Sequence, residues 1–186
     1  VAGIIAAQAN NGQGIAGGTW QSPLMILEAG SIYSMASAVD FAVAHGAKGI
    51  NLSVGWGESP SYFPSDLLYQ AISRAEQSGV VVVAAAGNGG ISGSTSLPGQ
   101  DLGILTSQSY TVAPASYRLP NMITVASVNS TGNLSTFTNY SGTMVDLAAP
   151  GENIETTGLG GGYISWAAGS SFAAPYVTGV VALVMA

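Results

Sequence analysis

Residues 79–90 read Gly79-Val80-Val81-Val82-Val83-Ala84-Ala85-Ala86-Gly87-Asn88-Gly89-Gly90. An unbroken run of valines and alanines, with no polar residue at alternate positions, describes a strand hidden on both faces, as a parallel sheet covered by helices requires. The flanking sequence agrees. A helix is predicted over residues 65–78, with Leu68, Ile72 and Ala75 at helical spacing, Asp66 near its N-terminus and Gly79 as its stop. Before it, residues 48–54 read as a strand, and residues 33–45 as a helix with Met35, Val39, Ala42 and Val43 on one face, ended by Gly46. Residues 24–28 are a further short strand candidate. The β-α-β-α-β order predicts an α/β, doubly wound fold with a mostly parallel sheet and helices on both faces.

Downstream, residues 122–128 and 145–149 read as strands and residues 160–163 as a tight turn. A helix begins at Ser170, with Pro175 placed in its first turn, where backbone N–H groups lack intrahelical partners. The polar, Gly/Ser-rich residues 91–111 read as a long surface loop. No period of 20 to 50 residues repeats and no linker divides the chain, so residues 1–186 form one domain or part of one. The apolar run that opens at Val1 without a basic leader is no signal peptide, and the chain closes at Met185-Ala186 inside an apolar helical pattern. Both features predict a partial domain truncated at both ends.

Composition removes several classes of function. Charged residues are 6% of the chain, against about 25% in ordinary soluble domains, and 47% of residues are apolar. That balance resembles a membrane protein, but glycines and serines interrupt the uncharged stretch of residues 156–186, and its apolar tail falls short of the ~20 residues a span needs. The 51 Ser, Thr, Asn and Gln residues and 26 Gly supply a neutral polar surface instead. Three basic residues, Lys48, Arg74 and Arg118, against nine acidic ones provide no phosphate-neutralising patch, which argues against nucleic acid. With no cysteine and one histidine, disulfides, thiolate chemistry and zinc sites drop out.

In a doubly wound sheet, ligands collect beyond the carboxyl ends of the strands, here the segments after Leu52 and after Ala84. Two side chains near such positions carry chemistry. Ser171, in Gly169-Ser170-Ser171, opens a helix, where free N–H groups and the helix dipole stabilise an alkoxide or oxyanion. Taken alone, serines at a helix start read as ordinary caps. Asn88 sits in a glycine-rich turn past the buried strand, where its amide can donate to an oxyanion, although Asn-Gly is also a common turn dipeptide. A serine nucleophile needs a general base. His45 does not suit, because it ends a helix at the amino edge of the sheet, about 20 Å from the opposite edge. A Gly12-x-Gly14-x-x-Gly17 match lacks the strand before it and the helix after it that dinucleotide binding demands. Asn-x-Ser/Thr sequons begin at Asn51, Asn129, Asn133 and Asn139; Asn51 falls in a predicted buried strand, and the sequons assign no modification.

Taken together, four segments resemble the subtilases, the subtilisin-like serine peptidases. Gly169-Ser170-Ser171-Phe172-Ala173-Ala174-Pro175 is similar to the family's G-T-S-M-A-x-P nucleophile motif, continued by Val177-Thr178-Gly179. Val83-Ala84-Ala85-Ala86-Gly87-Asn88 resembles the strand that ends in the oxyanion-hole asparagine. Ile50-Asn51-Leu52-Ser53-Val54-Gly55 is similar to the I-N-M-S-L-G strand that lines the substrate groove, and Asp146-Leu147-Ala148-Ala149-Pro150-Gly151 to D-x-x-A-P-G. The matches run in family order across nearly the whole chain.

The resemblance implies a serine endopeptidase in which Ser171 attacks the peptide carbonyl and the Asn88 amide and Ser171 N–H hold the oxyanion. It further implies that an extended peptide pairs with Ser53, Val54 and Gly55, and that Ala85, Ala86 and Gly87 wall the pocket for the side chain before the cut. Nothing charged lies in either wall, so an apolar preference is expected. The family's H-G-T-H-V-A-G motif carries the catalytic histidine just upstream of V-A-G, where this chain begins at Val1-Ala2-Gly3, and its aspartate lies further upstream. Both are therefore expected to be absent from these residues. Ser170 stands for Thr, Phe172 for Met, and Tyr176 where a histidine is common. The chemistry requires no cofactor, but the resemblance places a structural calcium site at Ala9, Asn11, Gln13 and Ile15, its carboxylate ligand upstream. A secreted, monomeric protein acting on peptides or proteins, without nucleic-acid or membrane partners, is expected. The alternatives are a non-catalytic pseudo-peptidase or peptide-binding module on the same scaffold, and a glycine-rich structural or adhesion domain.

Overall fold

The computed structural model describes residues 1–186. In chain order its elements are α1 (Ala2–Ala6), α2 (Ile32–Ala44), β1 (Gly49–Leu52), β2 (Trp56–Glu58), α3 (Leu67–Gln77), β3 (Val81–Ala85), α4 (Leu102–Ser107), β4 (Thr111–Ala113), β5 (Met122–Val128), β6 (Leu147–Pro150), β7 (Ile154–Thr157), β8 (Tyr163–Ala167) and α5 (Ser170–Val184). Strands β1, β3, β5 and β6 form one parallel sheet in the order β1-β3-β5-β6. The valine run supplies β3, one of its two central strands. Val82 and Ala84 face a cluster with Val39 of α2 and Leu68 and Ile72 of α3, while Val83 and Ala85 face Ala173, Ala174 and Val177 of α5. Both faces are therefore covered, as an apolar strand without alternation requires. Full burial of Val82 and of Val83 contributes about 1.5–3 kcal/mol of transfer free energy each.

The helix starts are set by local chemistry. Ser31 and Ser34 form a reciprocal capping box on α2. The Asp66 side chain accepts from the N–H groups of Leu68 (2.6 Å) and Tyr69 (3.1 Å) at the start of α3. No helix is long and apolar enough to cross a membrane.

Three sequence expectations are corrected. Residues 24–28 form no strand: they pair with no neighbour, and Leu24, Met25, Ile26 and Leu27 are exposed. Residues 91–111 are not one loop, since Asp101 accepts from the Gly103 N–H and starts α4. Pro175 is not in the first turn of α5, whose N-cap is Gly169, but lies one turn further on. The tight turn of residues 160–163 joins β7 to β8, an antiparallel pair.

Candidate active site

The carboxyl ends of β1 and β3 and the N-terminus of α5 meet at one place. Gly169, the N-cap of α5, adopts φ +147°, a region side chains rarely enter, and Ser170 and Ser171 are the first two helical residues. Ser170 is fully buried. Its hydroxyl accepts from the Gly87 N–H (3.0 Å) and donates to Asn88 Oδ1 (3.1 Å), and its own N–H donates to the same Oδ1 at 2.9 Å. These two donors hold the carbonyl end of the Asn88 amide against the helix, so that Nδ2 points away with no protein acceptor.

A Cβ built on Gly169 would stand 3.5 Å from Asn88 Nδ2 and 3.7 Å from both the Ser171 N and Phe172 Cδ2. Two N–H donors thus lie near one another beside Gly169, an arrangement that suits a developing negative oxygen. Ser171 itself is half-buried. Its Oγ is 3.4 Å from the carbonyl of Ser53, a long hydrogen bond that leaves the oxygen free to react.

On the other side of the site, Ser53 Oγ donates to the Ser171 carbonyl at 2.9 Å and accepts from Asn51 Nδ2 at 2.8 Å. Thr178 of α5 donates to Asn51 Oδ1 at 2.9 Å. Ser53, Val54 and Gly55 lie between β1 and β2, in neither ladder, and Val54 and Gly55 are exposed. Ala85 and Ala86 are buried beneath the site and Gly87 is partly open. All the residues singled out from the sequence for catalysis or substrate binding therefore gather around this sheet edge. His45 does not. It caps the C-terminus of α2, stacks on Phe41 and shares a 2.8 Å hydrogen bond between Nδ1 and the Phe41 carbonyl.

Ser170 and Asn139 escaped the sequence reading as site residues. The capping preference of Ser170 was visible, but its grip on Asn88 bridges 82 positions and leaves no local signal.

A second polar cluster underlies β2. Glu58 takes the indole N–H of Trp56 at 3.3 Å. Burial, and then the charge of Asp66, push its carboxyl above the usual glutamate range. Burial and the same aspartate hold the Tyr117 phenol protonated.

Gln8 and residues 10–16 line an open depression; of the four residues named for calcium, Asn11, Gln13 and Ile15 lie in it and Ala9 does not. The oxygens there are neutral amides and carbonyls, and Asn11 Oδ1 already accepts from the Gln13 N–H at 3.0 Å. Calcium takes six to eight oxygens, usually with carboxylates, so this loop does not make a calcium cage by itself.

Comparison with known proteins matches residues 1–186 to the model of the subtilase family. The chain is 37% identical to a thermophilic serine proteinase of Bacillus sp. (strain AK1), over 98% of this chain and 41% of that protein. It is 36% identical to subtilisin Savinase of Lederbergia lenta, over 99% of this chain and 61% of that one. The chain thus spans less than two thirds of either relative. Among solved structures, that of MycP1 with its N-terminal propeptide removed superimposes with a TM-score of 0.75 at 32% identity, covering 98% of this chain and 63% of the other.

Proposed function

The chain belongs to the subtilase family, and from that premise we propose that it is the nucleophile-bearing part of a serine endopeptidase. In this reading Ser171 Oγ attacks the carbonyl carbon of a peptide bond, forming the C–O bond as its proton passes to a general base. The carbonyl oxygen becomes an oxyanion, stabilised by the Asn88 Nδ2–H and the Ser171 N–H. Collapse breaks the C–N bond, the amine leaves with the proton, and water then hydrolyses the acyl-enzyme. The base and its orienting carboxylate come from outside residues 1–186, since His45 lies at the other edge of the sheet.

The observation that carries this reading is the paired grip of Ser170 on Asn88 Oδ1, which frees Nδ2 beside Ser171 N. An amide held only for structure would use its donors within the protein. Ser53, Val54 and Gly55 would pair with an extended peptide, while Ala85, Ala86 and Gly87 would line the pocket before the cut. The protein is proposed to be secreted and monomeric and to act on peptides or proteins. Calcium at Ala9, Asn11, Gln13 and Ile15 would be a structural addition requiring a carboxylate from beyond this loop.

The test is hydrolysis of casein and of a chromogenic peptide by the full-length protein. The proposal requires turnover that Ser171→Ala removes without loss of folding. Peptide binding without turnover would favour a non-catalytic member of the family.

A further inference from the structure

Asn139 entered the sequence reading only as a glycosylation sequon, yet its side chain is fully buried and all four hydrogen-bonding positions of its amide are taken. Nδ2 donates to the carbonyls of Ala86 (3.1 Å) and Gly90 (2.9 Å). Oδ1 accepts from the N–H groups of Gly90 (2.7 Å) and Gln100 (3.1 Å). The amide therefore grips both ends of the turn that carries Asn88. Backbone bonds complete the hold: the Asn139 N–H donates to the Gly87 carbonyl at 3.0 Å, and the Gly89 N–H to that of Phe137 at 2.8 Å.

The turn needs such a hold. Gly87, Gly89 and Gly90 all adopt positive φ, at +88°, +56° and +64°. Glycine enters that region freely but is not confined to it, so the chain alone does not fix where Asn88 points. The fit is close as well, since a Cβ on Gly87 would stand 2.8 Å from Asn139 Nδ2.

We infer that Asn139 is a positioning residue for Asn88, acting through the backbone of residues 86–90 to aim the amide that holds the oxyanion. This rests on the peptidase reading above. Asn139→Asp keeps the shape and the acceptor but loses two donors and sets an oxygen against two carbonyls. In the full-length protein it should lower kcat at least tenfold with KM changed less than twofold. In an Asn88→Ala background the same substitution should leave kcat unchanged within twofold, because the group it positions is gone. A purely structural role would lower the melting temperature in both backgrounds and reduce kcat by the same factor in each, and that result overturns the inference. Should the Asp variant not accumulate folded, Asn139→Ser, which leaves room for water, is read in the same way.

Wild type and Ser171→Ala run alongside. If the wild type is inactive, the peptidase reading fails, and the Asn88 side-chain amide signals in a ¹⁵N NMR spectrum decide the inference instead. They move in the Asn139 variant if Asn139 sets Asn88, and stay in place if it does not.

Discussion

The hydroxyl of Ser53 donates a 2.9 Å hydrogen bond to the carbonyl of Ser171, 118 residues further along the chain. That carbonyl lacks its helical partner, because the residue four ahead is Pro175, which has no N–H to donate. A side chain at the end of β1 thus supplies the bond that the helix cannot, and it does so at the residue proposed as nucleophile. Asn51 and Thr178 extend the tie from β1 to a point about two turns further along α5.

Removing the Ser53 hydroxyl should therefore cost stability according to what stands at position 175. Ser53→Ala leaves a partly buried carbonyl unpaired and should destabilise the fold by about 1–3 kcal/mol. In a Pro175→Ala background the restored N–H can take over, and the loss should shrink by at least ~0.5 kcal/mol. Urea denaturation of the four proteins measures this. Equal losses in both backgrounds would show that the bond does not compensate for the proline.

Asn88→Ala should lower kcat about 10²–10³-fold with little change in KM, the range measured when a subtilisin loses such an oxyanion donor. Steady-state hydrolysis of one chromogenic peptide by wild type and variant checks it. A variant with normal kcat and weakened KM would make Asn88 a substrate-binding group instead.

These relationships differ in how far the sequence displays them. The valine run of β3 is readable because burial on both faces leaves a compositional mark within one strand. Asn88 and Ser171 sit at the end of that strand and at the start of α5, where taken alone they read as a turn residue and a cap; the family motifs they resemble single them out. The bond from Ser53 to Ser171 and the clamp from Asn139 to residues 86–90 are not readable, since each joins positions dozens of residues apart. The short β2–β4 ribbon is likewise a product of tertiary pairing. Residues 24–28 show the opposite failure, an apolar run that looks like a strand but finds no ladder to join. The α4 helix hides behind Gly103 and Thr106, although Asp101 was the capping signal for it.

Stability should fall with rising pH because of Glu58. Its folded-state pKa is raised, chiefly by burial and then by Asp66, so the folded protein binds the proton more tightly than the unfolded chain. The contribution is fully present below the ordinary glutamate pKa and is lost as pH rises through the raised value. Glu58→Gln should flatten the melting-temperature profile in that window and raise the melting temperature at neutral pH. A variant profile parallel to that of the wild type would contradict the assignment.

Cleavage should favour apolar residues before the cut, because Ala85, Ala86 and Gly87 bring no charge to the proposed pocket wall. A peptide library should show kcat/KM for Phe or Leu at that position at least ~10-fold above Lys, a difference of about 1.4 kcal/mol in transition-state binding. Equal cleavage after Lys and Phe would sink the assignment of that wall.

If Ser171 is the nucleophile, a fluorophosphonate probe reacts with it and with no other residue. The full-length protein is treated with the probe, its intact mass is measured, and the modified peptide is sequenced by tandem mass spectrometry. One adduct is expected, on Ser171, with loss of activity in proportion to labelling. A protein that hydrolyses peptides yet carries no adduct, or carries it on another residue, would rule out Ser171 as the nucleophile.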